Sequence, residues 1–171
     1  NPIGNAHPEI IEAVHKAQKR YGFHYDHPLR YELAEKITEI TPNKELSRFT
    51  YEVSGTEAAE SAFYMAMCYK KRRHVITFSS SFHGNSIGTK VFGGLNTRKY
   101  LEGWNGGAIV APYPHSDFIP AGMNEEQYTE YCLHYLEHHI PNYIAAKDNI
   151  AAIMVEPGLA EGGNWIPTKA F

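Results

Sequence analysis

Hydrophobic residues recur at helical spacing in two segments near the start of the chain. HPEIIEAVHKAQKR carries apolar residues on one face and basic residues at its end, where the helix dipole favours them. HPLRYELAEKITEI repeats the pattern and has Pro28 at an early helical position. The apolar positions are Ile10, Ile11, Val14 and Ala17 in the first segment and Leu29, Leu33, Ile37 and Ile40 in the second. Two helices are predicted.

From Arg48 onward, short apolar runs alternate with helical patterns. Four of these runs are rich in β-branched and aromatic residues, and each is predicted to form a strand: FTYEV, HVITFSS, GAIVAPYP and NIAAIMVEP. Helices are predicted after Ser54 and in NEEQYTEYCLHYLEHHI. This alternation predicts an α/β fold with a mostly parallel sheet and flanking helices. Ligands usually bind beyond the carboxyl ends of such strands, so the informative loops follow Val53, Ser80 and Val155.

Composition narrows the class of protein. The 171 residues carry a formal charge of -3, so a nucleic-acid partner is not expected. No apolar run reaches the roughly 18 residues of a membrane span, so no span is expected either. Cys68 and Cys132 are the only cysteines and lie far apart, which favours a reducing cytoplasm over a disulfide framework. Because the sequence begins at Asn1 without Met, we expect a fragment or a processed product.

The stretch VSGTEAAESA places three small residues before a helical pattern. Ser54, with Glu57 three residues later, matches a capping box, which is a purely structural use of the motif. In that interpretation the helix buries a stripe of apolar positions, Ala58, Ala62, Met65, Ala66 and Tyr69. Two hydroxyls and a glycine exceed what a cap needs. The alternative is that Ser54, Gly55 and Thr56 surround a phosphate at the helix N-terminus. No Walker A loop and no G-x-G-x-x-G stretch occurs, so a nucleotide bound in those two ways is not expected.

Two further loops carry candidate groups at predicted strand ends. In FHGNSIGT, Phe82 offers a flat face for stacking a ring, and His83 is its polar neighbour. The structural alternative is a simple turn with a core Phe and a hydrogen-bonded His. In VEPGLAEGG, Glu156 and Glu161 lie around a Pro/Gly-rich turn. One of them serves a site in the functional interpretation, whereas both are solvated surface residues in the structural one.

Read in order, SGTEAAESA, FHGNSIGT and VEPGLAEGG resemble segments of the class III aminotransferases, which are pyridoxal-phosphate enzymes of fold type I. NPIGNAHPEIIEAVHKAQ and YELAEKITEITP extend the resemblance over nearly the whole chain. It implies an N-terminal helical segment over residues 1–47, leading into a partial pyridoxal-phosphate-binding large domain over residues 48–171. It also implies a cytoplasmic homodimer that transfers an amino group from an ω-amino acid such as 4-aminobutyrate to a 2-oxo acid such as 2-oxoglutarate. Acetylornithine or pyruvate-coupled transamination and amino-acid racemisation are the alternatives within the family.

The resemblance assigns roles to particular residues. Six of them bind the cofactor: Ser54, Gly55, Thr56, Phe82, His83 and Glu156. Ser54, Gly55 and Thr56 hold the phosphate. Phe82 stacks on the pyridine ring, His83 is its neighbour, and Glu156 lies near the cofactor's edge. Glu161 matches the family's gateway glutamate, which pairs with a distal arginine and swings aside so that one site accepts both substrates. Tyr25, in FHYDH, is expected to line the substrate entrance.

The chain departs from the family pattern in two respects. Leu159 and Ala160 replace the usual Gln and Gly before the gateway glutamate. The resemblance also places the Asp that pairs with the pyridine nitrogen and the Schiff-base lysine beyond Phe171, and Lys169 precedes the family's lysine loop. We therefore expect no catalytic residue in this chain and negligible transamination by the chain alone.

Two other classes of function remain open from the sequence. His134, Glu137 and His138 match the H-x-x-E-H signature of inverted zinc peptidases, although a solvated helix face explains the same residues. No metal site is assigned to this chain on that match alone. A non-catalytic assembly subunit that retains the fold is the other possibility.

Overall fold

The computed structural model describes residues 3–21, 27–94, 100–101, 103–104 and 106–171. They divide between Thr50 and Tyr51 into two compact units. The first unit contains α1 (Pro8–Arg20) and α2 (Pro28–Ile40), which confirms both predicted helices. At the start of α2, the N–H of Leu29 donates a hydrogen bond to Nδ1 of His27 at 3.1 Å. The role of residues 1–47 as a segment leading into a large domain stays a prediction.

Helices and strands alternate in the second unit. Its elements are α3 (Gly55–Lys70), β1 (His74–Phe78), α4 (Ile87–Lys90), β2 (Ala108–Ala111), α5 (Glu125–His134), a π-helical segment (Tyr135–Ile144) and β3 (Ile150–Ile153). Short 3₁₀ turns occupy Ser116–Phe118 and Lys147–Asn149. Three of the four predicted strands are confirmed. FTYEV is not a strand. Its last residue, Val53, lies just before the N-cap of α3, and its N–H donates to the carboxylate of Glu57 at 3.0 Å.

The three strands form a parallel sheet in the order β2-β1-β3. The register places Ile76 of β1 between Ile109 of β2 and Ile153 of β3. β1 is buried from Val75 to Phe78, as expected for a central strand covered on both faces. The predicted α/β architecture with a parallel sheet and flanking helices is confirmed.

Two apolar clusters cover the two faces of the sheet because side chains along β1 alternate in direction. Ile76 and Phe78 belong to one cluster, which the π-helical segment covers through Ile140. Val75 belongs to the other, which α3 covers through Ala59 and Phe63. The polypeptide therefore holds α3 and the π-helical segment on opposite sides of the same three strands, with their connecting loops at the strand ends.

The buried face of α3 differs from the predicted one. The predicted stripe was Ala58, Ala62, Met65, Ala66 and Tyr69, but Met65 is 46% exposed and Tyr69 is 83% exposed. The buried residues are Ala59 and Phe63. The ring of Phe63 stacks on that of Phe92 with centroids 4.1 Å apart. The burial of Phe63 thus decides which face of α3 points inward. The buried positions Ala59 and Phe63 are each one residue beyond the predicted Ala58 and Ala62.

The predicted helix over residues 124–140 changes its winding at Tyr135. Beyond α5 the chain is π-helical and contains Pro141, and the N–H of Ala145 closes the segment on the carbonyl of Ile140. A π-helical turn contains more residues than the 3.6 of an α-helical turn. Side chains four residues apart therefore lie almost above one another. Among the described residues, no helix is long and apolar enough to cross a membrane.

Candidate anion-binding site

Ser54 caps α3. Its Oγ accepts a hydrogen bond from the N–H of Glu57 at 3.3 Å, which confirms the predicted N-cap. The second half of a capping box would return the Glu57 carboxylate to the N–H of Ser54, but that carboxylate binds the N–H of Val53 instead. Because the Ser54 hydroxyl acts as an acceptor in the cap, its proton remains available to a ligand.

The first turn of α3 presents open N–H groups. The first bond within the helix joins the N–H of Ala58 to the carbonyl of Ser54 at 3.0 Å, so the N–H groups of Gly55 and Thr56 precede the intrahelical ladder. A Cβ built on Gly55 would meet nothing within 4 Å, so there is room in front of this turn. Two N–H groups and the positive end of the helix dipole favour an anion there.

The loop after β1 lies directly on this turn. The N–H of Asn85 donates to Oγ1 of Thr56 at 3.2 Å. Gly84 has φ +138°, and a Cβ there would lie 2.7 Å from Oγ1 of Thr56 and 2.9 Å from its Cα. Only a glycine permits this approach in this backbone conformation. The Thr56 hydroxyl accepts from the loop and, like that of Ser54, keeps its proton for a ligand.

The structural alternative placed Phe82 in the core and gave His83 a hydrogen bond. In the structure, His83 is the more buried of the two side chains. Phe82 is half-buried and belongs to neither apolar cluster. His83 is 8% exposed and lies edge-on to the ring of Phe63, with centroids 5.9 Å apart. Its Nε2 is buried without a hydrogen-bond partner among the described residues. Burial lowers the pKa of His83, and the negative charge of Glu156 opposes that shift.

Glu156 links two of the loops. One carboxylate oxygen accepts from the N–H of Phe82 at 2.5 Å, and the other accepts from the N–H of Ala160 at 3.2 Å. The carbonyl of Glu156 accepts from the hydroxyl of Tyr113 at 3.0 Å. Tyr113 follows β2, so this group of contacts joins the ends of all three strands. Burial, the larger cause, and the charge of Glu156 both raise the pKa of Tyr113, which keeps its hydroxyl protonated as a donor.

Sequence reasoning missed Tyr113. The available signal was its position directly after an apolar run, in GAIVAPYP, at the same sheet edge as the other loops. Its N–H donates to Oγ of Ser79 at 3.0 Å, which fixes it against the end of β1. Tyr113 is fully buried, and an interior tyrosine whose hydroxyl and N–H both bond to neighbouring strand ends cannot be told from an ordinary core residue by composition.

Glu161 lies on an exposed turn whose base is fixed. Leu159 and Trp165 pair across it, with N–H to carbonyl distances of 2.8 and 3.0 Å. Leu159 is 1% exposed and belongs to the apolar cluster around Phe78, so the residue that replaces the family's Gln is a core side chain here. The predicted gateway role of Glu161 stays a prediction. Tyr25 lies outside the described residues.

These contacts assemble the predicted cofactor residues at one edge of the sheet. The loop that carries the half-buried Phe82 bonds through Asn85 to the open N-terminus of α3 with its two hydroxyls, and the Glu156 carboxylate holds the backbone of Phe82. The donors suit a phosphate, and the ring suits a planar heterocycle. The site therefore fits a cofactor that carries both groups.

The H-x-x-E-H residues form no comparable site. The rings of His134 and His138 lie 4.7 Å apart along the helix, and the Glu137 carboxylate is 4.0 Å from Nε2 of His138. Within the described part of the chain, no three His, Cys, Asp or Glu side chains are grouped to hold a metal ion. The peptidase alternative therefore lacks a third ligand among those residues.

Comparison with known proteins identifies relatives over the whole chain. The family model "Aminotransferase class-III" matches residues 1–171. A probable 4-aminobutyrate aminotransferase of Bacillus subtilis is 31% identical over 176 residues, covering 99% of this chain and 40% of the relative. A glutamate-1-semialdehyde 2,1-aminomutase of Methanopyrus kandleri is 33% identical over 172 residues, covering 99% of this chain and 36% of the relative. The chain thus spans well under half the length of these curated relatives.

A solved structure shares the fold. The amine transaminase of an uncultivated Pseudomonas species, in its PLP-bound form, superposes with a TM-score of 0.86 at 24% identity, over 96% of this chain and 40% of that one. At this identity the likeness concerns the fold alone. It confirms that the α/β unit is the fold of pyridoxal-phosphate-dependent transaminases.

Proposed function

Since the chain belongs to the class III aminotransferase family, whose cofactor is pyridoxal phosphate, we propose that the whole protein transfers an amino group from an ω-amino acid to a 2-oxo acid. The donor class is represented by 4-aminobutyrate and the acceptor class by 2-oxoglutarate. Family membership also supports the homodimer that the resemblance implies.

One observation carries the proposal: hydrogen bonds join the loop after β3 to the loop after β1, and the loop after β1 to the first turn of α3. Asn85 bonds to Thr56, and Glu156 bonds to Phe82. A helix cap alone requires neither contact, since Ser54 already satisfies that function. The contacts fix the relative positions of an anion-binding turn and an aromatic ring, as a phosphorylated heterocycle requires.

In this proposal each residue of the site binds or orients the cofactor. The N–H groups of Gly55 and Thr56 and the hydroxyls of Ser54 and Thr56 hold the phosphate. Phe82 covers one face of the heterocycle and excludes water from it. Glu156 keeps the backbone of Phe82 in place through its carboxylate. The bound cofactor supplies the electron sink that amino transfer needs.

Glu161 and the B. subtilis relative support the choice of substrates. The glutamate matches the position that the family uses to admit two kinds of substrate, and the relative is named for 4-aminobutyrate. The aminomutase relative is equally similar, and it favours a second candidate, the internal transfer of an amino group between neighbouring carbons of one substrate.

An assay of the whole protein separates the two candidates. With 4-aminobutyrate and 2-oxoglutarate, an aminotransferase forms glutamate, whereas an aminomutase converts glutamate-1-semialdehyde into its amino-shifted isomer and consumes no acceptor. We expect glutamate formation and a changed ratio of donor to acceptor kcat/KM in Glu161→Gln. Glu126→Gln, an exposed change on α5, is the matched control. Isomerisation without glutamate formation supports the aminomutase, and neither product contradicts both.

A further inference from the structure

A polar cluster outside the predicted site joins α3 to the loop after β1. The carboxylate of Glu60, one turn beyond Thr56 on α3, accepts a hydrogen bond from Oγ of Ser86. Ser86 caps α4, since its Oγ also accepts from the N–H of Thr89 at 3.1 Å. The hydroxyl of Thr89 lies 3.0 Å from the same Oγ, and Thr89 is fully buried. Glu60 therefore holds the end of a loop that begins at the candidate site.

Close packing transmits the position of this cluster to the anion-binding turn. A Cβ on Gly84 would lie 2.7 Å from the hydroxyls of both Thr56 and Thr89, so the backbone at Gly84 is wedged between them. A Cβ on Gly88 would lie 2.5 Å from the Glu60 carboxylate. Two glycines thus bring the loop backbone against α3 at two successive turns. Displacing the loop at either place changes the position of the Asn85 N–H that bonds to Thr56.

We propose that Glu60 is a positioning residue for the cofactor phosphate. Its carboxylate anchors Ser86, Ser86 and Thr89 fix the loop, and the loop holds the hydroxyl of Thr56 through Asn85. The inference rests on the proposed function, in which the N–H groups and hydroxyls of Ser54, Gly55 and Thr56 hold the cofactor phosphate. These groups are called the phosphate cup below. Glu60 does not touch the cofactor in this account. Its effect reaches the site through hydrogen bonds and packing.

The test uses this chain and two readouts. The first is the affinity for pyridoxamine phosphate compared with pyridoxamine, measured by equilibrium dialysis. The second is amide hydrogen exchange at Asn85, with the amide of Tyr113, which bonds to Ser79 and not to the Glu60 cluster, as the reference. Glu60→Leu removes the acceptor for Ser86, whereas Glu60→Gln keeps an oxygen that accepts the same bond.

We expect Glu60→Leu to weaken pyridoxamine phosphate binding about tenfold, the scale of one hydrogen bond, and to speed exchange at Asn85 while Tyr113 is unchanged. Glu60→Gln should restore both. Gly88→Ala, whose new Cβ meets the carboxylate, should resemble Glu60→Leu without removing any polar group. Equal acceleration at Asn85 and Tyr113 would instead indicate a general loss of stability and would overturn the positioning role.

The two proposals fail in different ways. If the wild-type chain binds pyridoxamine phosphate no better than pyridoxamine, the phosphate cup of the proposed function is wrong, and with it the role of Glu60 toward the cofactor. If the wild-type chain prefers the phosphorylated compound but Glu60→Leu changes neither affinity nor exchange at Asn85, the role of Glu60 alone is wrong.

Discussion

The N-terminus of α3 and the π-helical segment Tyr135–Ile144, with His134 before it, both match short sequence motifs, yet the structure treats them differently. At α3, the loops after β1 and β3 and the buried Tyr113 come together through hydrogen bonds to one another and to the first turn. At the π-helical segment, Tyr135 packs on the apolar core, and the histidine rings pair with neighbours along the same helix, such as His134 with His138 and His139 with Tyr135.

The comparison teaches that a motif becomes a site when groups from other elements converge on it. The i, i+4 spacing of two histidines is a local property that any helical turn supplies. The contact between Asn85 and Thr56 requires a whole strand and loop to return to the helix.

Glu156→Leu should have the largest effect. The N–H groups of Phe82 and Ala160 both lose a charged acceptor, so we expect the free energy of unfolding to fall by about 3 kcal/mol and pyridoxamine phosphate binding to be lost. Denaturant unfolding and equilibrium dialysis measure the two effects. Glu156→Gln, which keeps one oxygen, should lie between the wild type and Glu156→Leu. Wild-type behaviour of Glu156→Leu would show that the loops are held by other contacts.

Gly84→Ala should destabilise the second unit by about 2 kcal/mol more than Gly122→Ala. Both glycines have positive φ, +138° and +90°, but a Cβ at Gly122 meets nothing within 4 Å, whereas one at Gly84 meets Thr56 and Thr89. The difference between the two variants therefore isolates the close approach of the loop to α3. Equal losses of stability would mean that backbone strain, and not contact with α3, explains the glycine.

Tyr113→Phe should reduce the free energy of unfolding by about 1 kcal/mol, because it removes the single hydrogen bond from the hydroxyl to the carbonyl of Glu156. Tyr131→Phe on the exposed face of α5 is the matched control and should change it by less than about 0.5 kcal/mol. Similar values for the two variants would remove Tyr113 from the network that joins the strand ends.

Because the pKa of His83 is lowered in the folded chain, the free energy of unfolding should depend on pH. Between its folded-state pKa and the unfolded value of about 6.5, the unfolded chain binds a proton that the folded chain does not. The free energy of unfolding should therefore rise with pH across that interval, and this contribution should be absent from His83→Leu. Urea unfolding at several pH values compares the slopes. Equal slopes in the two proteins would show that burial of His83 has no consequence for protonation.

The smallest effect is expected at the histidine pair. The double change of His134→Gln and His138→Gln should alter the free energy of unfolding by less than about 0.5 kcal/mol, because both side chains lie on an exposed helix face. Pyridoxamine phosphate affinity should be unchanged. Tight, stoichiometric zinc binding by the wild type that this variant loses would contradict the contrast between the two regions.

Much of the fold could be predicted from local patterns. Periodicity and turn residues predict the helices α1 and α2, the N-cap at Ser54 and the strands β1, β2 and β3. FTYEV has strand composition but no partner among the described strands, and pairing is a property of the whole sheet. The π-helical winding around Pro141 likewise has no periodic signal in the sequence.

The residues of the candidate site could be proposed from the sequence, but the contacts between them could not. Ser54, Phe82 and Glu156 are visible as small, aromatic and acidic residues at the ends of predicted elements. That His83 is buried while Phe82 is only half-buried, and that Leu159 packs in the core, depend on side-chain directions set by tertiary contacts. Glu60 and Ser86 appear in the sequence as ordinary helix and cap residues, and their bond exists only after α3 and the loop meet.

The most direct test of the phosphate cup is a titration of the ¹⁵N-labelled chain with pyridoxamine phosphate and, separately, with pyridoxamine. We expect the phosphorylated compound to shift the amide resonances of Gly55 and Thr56, and pyridoxamine to shift them much less at equal concentration. The amides of residues 135–144 should not move with either compound. Equal shifts from the two compounds, or shifts confined to residues 135–144, would contradict the assignment of the phosphate to the first turn of α3.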